Sequence, residues 1–136
     1  MTAAQKKALI DAAKAARIRA YAPYSKFEVG AAVLTDGGEI FDGCNIENAS
    51  YGATVCAERV AIFKAVSNGK AKIRALAVIG RYPTPLPPCG ICRQVLSEFG
   101  SKETEIIMMN DDGLAASATA GDLLPLSFEY PGTPNE

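Results

Sequence analysis

Residues 73–80, Ile73-Arg74-Ala75-Leu76-Ala77-Val78-Ile79-Gly80, form a nearly continuous apolar run. Such a run predicts a strand that is buried on both faces of a sheet. Four prolines make residues 81–88 a stiff loop. The pattern then predicts a helix over Cys89–Phe99 and a strand over Glu105–Met109. Because strands and helices alternate here, we expect a mixed sheet covered by helices.

The segment before this strand predicts two helices with a hairpin between them. An alanine-rich helix is expected over Ala3–Ala20. Val29–Thr35 and Glu39–Ile46 flank an Asp-Gly turn and predict two short hairpin strands. A second helix is expected from about Cys56 to Ser67, with Thr54 or a neighbour as a candidate cap. Together these elements predict a three-layer α/β/α domain.

The length and organisation of the chain indicate one domain. Its 136 residues are enough to bury one core. No linker, repeat or low-complexity tract interrupts them. Ala120–Leu124 is a candidate for a short last helix, and residues 131–136 are expected to form a frayed tail. We therefore expect residues 1–136 to form a single domain.

Charge and hydropathy disfavour several classes of protein. The chain has 14 basic and 15 acidic residues, so it lacks the basic surplus that nucleic-acid binding needs. No apolar run approaches the ~20 residues that span a bilayer. Residues 1–20 lack the apolar stretch of a secretory signal. We therefore expect a cytoplasmic protein that acts on a small molecule, with no nucleic-acid or membrane partner.

The chain contains 4 cysteines and no histidine. The absence of histidine excludes catalysis by an imidazole base, as in Ser-His-Asp and Cys-His arrangements. In a reducing cytoplasm, cysteines more often bind metal or take part in chemistry than form disulfides. The cysteine pattern is therefore the main indication of function.

Three of the cysteines have the spacing of metal ligands. Cys89 and Cys92 open one helix and share a face of it, and Cys56 opens another helix. A helix N-terminus favours the thiolate form that binds metal. Three thiolates would leave tetrahedral zinc one open position for water, as in catalytic sites. The soft ligands favour zinc, with iron as the alternative.

Two charged residues beside Cys56 add to this chemistry. Glu58 is placed to take a proton from the water and to deliver it to a ring nitrogen and then to a leaving amine. Three thiolates and Zn²⁺ leave a net negative charge, which weakens activation of the water. Arg59 and the two helix N-termini would offset this charge by hydrogen bonding to sulfur.

Cys56-Ala57-Glu58 followed by Pro88-Cys89-Gly90-Ile91-Cys92 matches the signature of zinc nucleoside deaminases, in its three-cysteine form. With Asn45-Ile46-Glu47-Asn48-Ala49-Ser50-Tyr51-Gly52 and Cys92-Arg93-Gln94, the chain resembles the short, homotetrameric cytidine deaminases over about residues 24–128. The resemblance implies their α/β/α fold with a mixed five-stranded sheet, and one zinc ion per subunit. It also implies hydrolysis of cytidine and deoxycytidine to uridine and deoxyuridine with release of ammonia, in pyrimidine salvage.

The same resemblance implies which residues bind the nucleoside. Asn45 and Glu47 would hold the ribose hydroxyls, which suits an amide and a carboxylate. Phe27 would line the pocket, and Phe128 would pack on the base, often across a subunit boundary. Tyr51 would reach into the site of a neighbouring subunit. Without the motif, these residues would be ordinary turn, surface and core residues.

Three further residues have supporting roles under this resemblance. The backbone of Ala57 would bond the edge of the base, and its small side chain would allow close approach. Gln94 and Arg59 would support the site. Outside the motif, Arg59 would be interpreted as a surface ion pair.

Other functions remain as alternatives at this point. The same zinc core would serve a deaminase of a cytosine nucleoside antibiotic such as blasticidin S. A structural zinc module would use Cys44 as a fourth ligand, whereas an enzyme would keep Cys44 as a buried small hydrophobe. A polynucleotide deaminase would need a basic channel. A thiol redox protein would leave Cys56 and Glu58 unexplained.

Overall fold

The computed structural model of the protein describes residues 1–132. Its elements, in chain order, are α1 (Ala3–Arg17), β1 (Val29–Thr35), β2 (Ile40–Cys44), a short 3-10 helix (Tyr51–Ala53), α2 (Ala57–Ser67), β3 (Ile73–Gly80), α3 (Gly90–Phe99), β4 (Glu105–Asn110), β5 (Ala115–Thr119) and α4 (Ala120–Leu123). No helix in this part of the chain is long and apolar enough to cross a membrane. Of the expected tail, residues 131–132 form a turn, and residues 133–136 lie outside the described residues.

One mixed sheet runs through the molecule in the order β2-β1-β3-β4-β5. β1 pairs with β2 and β3 in antiparallel orientation, and β4 pairs with β3 in parallel and with β5 in antiparallel orientation. The register places Ala31 of β1 opposite Gly43 of β2 and Val78 of β3. The predicted α/β fold with a mixed five-stranded sheet is therefore confirmed.

Helices cover both faces of this sheet, because successive residues of a strand point to opposite faces. On one face, Leu9 and Ala13 of α1 pack with Ala32 and Leu34 of β1. On the other face, α2 and α3 pack on alternate strand residues in a core that contains Val33, Ala57, Ala61, Ile62, Ala65, Leu76, Val78, Leu96 and Ile106. From Ala75 on, both faces of β3 are thus buried, which explains its nearly continuous apolar run.

Gly43 allows β2 to lie directly against α2. A Cβ atom at this position would lie 2.6 Å from the backbone nitrogen of Ala61 and 2.7 Å from the carbonyl oxygen of Ala57. Atoms at such distances overlap, so any side chain would push the helix away from the sheet. The glycine therefore places the first turns of α2, which carry several predicted site residues, close to the sheet.

Two element ends differ from the sequence predictions by more than one residue. α1 ends at Arg17 rather than Ala20, because the next three residues form the tighter i to i−3 hydrogen bonds. The second hairpin strand ends at Cys44 rather than Ile46, because Ile46 forms backbone bridges with two segments outside the sheet. The second change brings Ile46 beside Val55, which directly precedes Cys56.

Two local features were not predicted correctly. Thr54 does not cap α2, because Cys56 occupies the N-cap position and the hydroxyl of Thr54 accepts a hydrogen bond from the Asn48 N–H instead. β5 was not indicated by the local pattern. It is short, rich in alanine and largely exposed at the sheet edge, and Thr119 is its one β-branched residue.

Candidate metal centre and active site

Three cysteine sulfurs meet where α2 and α3 begin. Cys56 is the N-cap of α2, Cys89 is the N-cap of α3, and Cys92 lies in the first turn of α3. The Sγ atoms of Cys56 and Cys89 are 3.8 Å apart, and those of Cys89 and Cys92 are 3.4 Å apart. All three sulfurs lie within 4.8 Å of one another. The structure therefore brings the three predicted metal ligands together.

The cluster has the dimensions that zinc requires. Zn–S bonds of about 2.3 Å in a tetrahedron place two sulfurs about 3.8 Å apart. The two measured Sγ separations, 3.4 Å and 3.8 Å, are close to this value. Three soft sulfur ligands also favour zinc over harder cations. The residues present therefore fit one zinc ion.

Cys44, the fourth thiol, is not part of this cluster. It ends β2 and is half-buried, and burial raises the pKa of its thiol. Within residues 1–132, the cysteines therefore form a three-sulfur site rather than a closed four-sulfur site. This arrangement argues against the structural zinc module.

The clustered thiols hold their protons unequally. A hydrogen bond from Cys92 lowers the pKa of Cys56, and Arg59 and Cys89 act in the same direction. The same hydrogen bond, together with burial, raises the pKa of Cys92. Because metal ligation requires thiolates, zinc binding must displace the protons that remain.

Glu58 is a buried carboxyl group beside the sulfurs. It lies in the first turn of α2 and is 5% exposed. Burial raises the pKa of Glu58 to about 7, although its own backbone N–H and a hydrogen bond with Cys92 partly oppose this change. A carboxyl group in this environment can both accept and donate a proton near neutral pH. The arrangement therefore places a proton carrier next to the metal ligands.

Arg59 contacts one of the sulfurs directly. Its Nη2 atom donates a hydrogen bond to Sγ of Cys56 at 3.4 Å. Its Nε atom is buried and has no hydrogen-bond partner among the described residues. A guanidinium next to a thiolate offsets part of the negative charge. Arg59 thus lies where the charge argument from the sequence requires it.

A short backbone ladder connects the cysteines to a second group of polar residues. Ile46 and Val55 exchange two backbone hydrogen bonds, each 3.0 Å long. Asn45 and Glu47 flank Ile46 in the chain, and Cys56 follows Val55. The ladder therefore places Asn45 and Glu47 beside the segment that leads into the three-sulfur cluster.

Asn45 is buried and bonds to the chain just before and within β1. Its Nδ2 atom donates to the carbonyl oxygen of Phe27 at 2.7 Å. Its Oδ1 atom accepts from the N–H of Val29 at 2.9 Å. Both ends of the amide group are therefore fixed by backbone atoms.

Glu47 is also buried, at 8% exposure, and bonds to the loop that precedes Phe27. Its Oε1 atom accepts from the backbone N–H groups of Tyr24 at 3.0 Å and Ser25 at 3.1 Å. Its Oε2 atom accepts from the hydroxyl of Ser25. These bonds, the hydroxyl of Ser25 first, hold the pKa of Glu47 below its usual range, so the carboxylate is ionised at neutral pH.

A cavity of about 370 Å³ opens at Glu47, and Tyr24, Ser25, Tyr51 and Thr54 also line it. The rings of Tyr24 and Tyr51 meet edge to face with their centroids 5.9 Å apart. The volume is in the range of small-molecule sites. A larger cavity, of about 520 Å³, lies at the N-terminal end of β3. None of the predicted site residues lines it.

Comparison with known proteins identifies the family. A family model described as the cytidine and deoxycytidylate deaminase zinc-binding region matches residues 3–108. The chain belongs to this family. Family membership and the three-sulfur cluster together make the protein a zinc-dependent enzyme of the deaminase class.

Individual members of the deaminase family are similar over most of the chain. The cytidine deaminase of Sporosarcina psychrophila is 49% identical over 120 residues, which cover 88% of both chains. That of Halalkalibacterium halodurans is 48% identical over 88% of this chain and 91% of its own. The crystal structure of the cytidine deaminase from Burkholderia pseudomallei matches with a TM-score of 0.88 at 51% identity, over 94% of this chain and 100% of that chain.

A deaminase of an antibiotic is also similar. The blasticidin-S deaminase of Bacillus cereus is 34% identical over 113 residues, which cover 76% of this chain and 79% of that protein. Its identity is well below that of the two cytidine deaminases. Overall similarity therefore favours the cytidine deaminases.

The remaining predicted site residues of this deaminase differ in how far they are buried. Ala57 is fully buried in the first turn of α2, and Phe27 packs against the core. Nε2 of Gln94 donates to the carbonyl oxygen of Phe128 at 3.0 Å, so Gln94 holds the C-terminal segment. The side chains of Tyr51 and Phe128 remain 76% and 69% exposed. A single chain therefore leaves these two rings in contact with solvent.

Two residues outside the predicted set form hydrogen bonds with parts of the site. The hydroxyl of Ser25 bonds to Glu47. Arg93 donates to the carbonyl oxygen of Pro88 at 2.8 Å and to that of Leu123 at 2.9 Å, which ties α3 to the C-terminal segment. The position of Arg93 directly after the cysteine pair was an available signal, whereas no local pattern distinguishes Ser25.

Replacement of single cysteines tests the ligand set of the deaminase. We expect wild-type protein and Cys44→Ser each to retain about one zinc ion per chain, and Cys89→Ser to lose most of its zinc, because serine lacks the soft sulfur ligand. Inductively coupled plasma mass spectrometry of dialysed protein measures this ratio. Loss of zinc from Cys44→Ser would instead indicate a four-thiolate site.

Proposed function

We propose that this enzyme hydrolyses cytidine and deoxycytidine to uridine and deoxyuridine with release of ammonia. The observation that carries the proposal is the buried Glu58 in contact with a cluster of three cysteine sulfurs. Zinc held by Cys56, Cys89 and Cys92 supplies the Lewis acidity that makes water nucleophilic at neutral pH. The relatives named cytidine deaminase support this substrate class.

Glu58 carries the protons in the proposed reaction. Its carboxylate takes one proton from water as the oxygen bonds to C4 of the cytosine ring, and delivers it to N3. It then takes the second proton from the new hydroxyl group and delivers it to the exocyclic amine, which leaves as ammonia. The 5% exposure of Glu58 limits competition from bulk water for these protons.

Asn45 and Glu47 bind the sugar in this proposal. Nδ2 of Asn45 has a second N–H group besides the one that bonds Phe27, and Oε2 of Glu47 has a second lone pair besides the one that Ser25 occupies. A sugar hydroxyl can therefore accept from Asn45 and donate to Glu47. Phe27 lines the pocket, and the backbone of Ala57 bonds the base edge, where its small side chain allows close approach.

Blasticidin S is the second candidate substrate, because a blasticidin-S deaminase shares 34% identity with the chain. The same proton carrier and sulfur cluster would serve its cytosine ring. The amide of Asn45 and the carboxylate of Glu47 are suited to an ordinary ribose, whose hydroxyl groups both donate and accept hydrogen bonds. We therefore place cytidine first.

We also infer that residues 1–136 act as one catalytic domain in a cytoplasmic homotetramer that serves pyrimidine salvage, without nucleic-acid or membrane partners. In this assembly, Tyr51 and Phe128 would reach the site of a neighbouring subunit. Exposure of their rings in the single chain supports this inference, as does the exposure of several other large apolar side chains, Ile18, Tyr21, Ile46 and Leu126. Contiguous exposed apolar groups are typical of surfaces that contact another chain, and a backbone bridge makes Tyr21 and Ile46 neighbours.

Sedimentation velocity tests the assembly. We expect the wild-type protein to sediment with the mass of four chains at micromolar concentration, because association would cover the exposed apolar side chains. Fractions collected across the sedimenting boundary should carry the deaminase activity with that species. A monomer that deaminates cytidine at the full rate would contradict shared sites.

The Glu58→Gln variant tests the proton carrier. We expect the wild-type enzyme to convert cytidine, and Glu58→Gln to lose between about 100-fold and 10,000-fold in kcat, because the amide cannot accept and return a proton. The loss of cytosine absorbance measures turnover, and ammonia release confirms it. Zinc content should be unchanged.

Two controls accompany this experiment. Glu103→Gln removes an exposed carboxylate outside the site and should keep wild-type activity. Blasticidin S is assayed beside cytidine and deoxycytidine. Zinc-loaded wild-type protein that converts neither nucleoside would contradict the proposed function, and conversion of blasticidin S alone would favour the second candidate.

The Arg59→Ala variant tests the charge argument. We expect kcat for cytidine to fall by about tenfold while zinc is retained, because Arg59 donates to a ligand sulfur and is not itself a ligand. Arg59→Lys keeps the positive charge and should lie between Arg59→Ala and the wild type. Full activity of Arg59→Ala would show that the charge of the sulfur cluster needs no offset from this residue.

A further inference from the structure

The loop before β1 is held in one defined conformation. The N–H of Lys26 bonds to the carbonyl oxygen of Ala22 at 3.0 Å, which closes a tight turn. Lys26 has a φ angle of 60°, in the left-handed region that a residue with a side chain rarely occupies. Such a conformation persists where surrounding contacts hold it. Contacts with neighbouring groups therefore hold the loop in this backbone conformation.

Ser25 provides the contacts that connect this loop to Glu47. Its backbone N–H donates to Oε1 at 3.1 Å, and its hydroxyl donates to Oε2. The same hydroxyl oxygen accepts from the backbone N–H of Phe27 at 3.0 Å. One hydroxyl group thus bonds at once to the carboxylate of Glu47 and to the peptide of Phe27.

The peptide bonds of Phe27 are held from two sides as a result. Ser25 accepts from the Phe27 N–H, and Asn45 donates to the Phe27 carbonyl oxygen at 2.7 Å. Ser25, Phe27, Asn45 and Glu47 therefore form one connected network of hydrogen bonds. Within it, Ser25 provides the side-chain connection between Glu47 and the part of the network that contains Asn45.

The bonds to Glu47 also determine the direction in which it can accept another hydrogen bond. A carboxylate offers about four lone-pair positions. The N–H groups of Tyr24 and Ser25 occupy Oε1, and the hydroxyl of Ser25 occupies one position on Oε2. The terminal torsion of a free glutamate is broad. The two N–H bonds to Oε1 restrict it, and the hydroxyl of Ser25 fixes Oε2 and determines which of its lone-pair positions stays open.

We infer that Ser25 is a positioning residue for the sugar subsite: its hydroxyl orients the free lone pair of Glu47 and aligns it with Asn45 through the peptide of Phe27. The inference rests on the proposed function, in which Asn45 and Glu47 bind the sugar. Ser25 acts through these residues and takes no part in proton transfer at the cytosine ring. Its loss should therefore weaken substrate binding and leave the chemical step unchanged.

A purely structural role predicts a different result. Ser25 is exposed, so removal of its hydroxyl creates no buried cavity. A purely structural role would change kcat and KM together. A positioning role changes KM alone, because the metal cluster and Glu58 are not among the contacts of the Ser25 side chain.

The Ser25→Ala variant separates these roles in the cytidine assay. We expect KM for cytidine to rise by about tenfold, because a misdirected Glu47 loses its hydrogen bond with the sugar hydroxyl, a bond to a charged group, with kcat within about twofold of wild type. Ser25→Thr keeps the hydroxyl and should recover most of the wild-type KM. Zinc content should be unchanged in both variants.

Ser117→Ala is a matched control. Its hydroxyl also contacts a carboxylate, Glu105, at 3.4 Å, but on β5 at the far edge of the sheet. This variant should keep the wild-type KM. An unchanged KM in Ser25→Ala, or an equal rise in Ser117→Ala, would overturn the positioning role.

A double-mutant cycle with Glu47→Ala shows whether Ser25 acts through Glu47. In the Glu47→Ala background, we expect Ser25→Ala to change KM by less than about twofold, because the group that it orients is already absent. A full tenfold rise in that background would overturn the inference. If the wild-type enzyme converts no cytidine, the proposed function fails and this inference fails with it. If the wild type is active, the KM values of the serine variants decide whether the inference holds.

Discussion

The approach of two helix N-termini to one point is the constraint on which the site depends. α2 begins after Cys56 and α3 begins after Cys89, so two of the three sulfurs are N-cap groups. The partial positive charge at each N-terminus stabilises thiolates and makes a cluster of negative sulfurs tolerable. Contacts that hold these helices in place, such as the close approach of α2 to Gly43, therefore also hold the metal ligands.

The first turn of α2 combines three chemical roles within four residues. Cys56 belongs to the three-sulfur cluster that fits a zinc ion, Glu58 is buried beside the sulfurs, and Arg59 donates to the sulfur of Cys56. Residues three apart share one side of a helix, which explains the contact between Arg59 and Cys56. Burial of Glu58 raises its pKa to about 7, while the guanidinium offsets charge on the ligand. The same backbone segment thus positions both the proposed proton carrier and the guanidinium that offsets the charge of the sulfur cluster.

Sequence patterns predicted the elements whose signal is local. β3 was predicted with its observed bounds, because burial of both faces favours a nearly continuous apolar run, interrupted here only by Arg74. β5 was missed because the exposed, alanine-rich segment Ala115–Thr119 has no such run. Thr54 was a candidate cap because threonine is a common capping residue. The start of α2 instead depends on where the chain leaves the ladder with Ile46, which is a tertiary contact.

The sequence by itself determined the chemical groups of the site. Helix geometry places Cys89 and Cys92 on one face, and Glu58 follows a ligand at a spacing that a motif can express. Only the tertiary structure decided that Cys44 stays outside the cluster and that Ser25 orients toward a carboxylate 22 residues away in the chain. The physical reason is that these contacts depend on packing and hydrogen bonds between separate segments, whereas periodicity and spacing report only neighbours within one element.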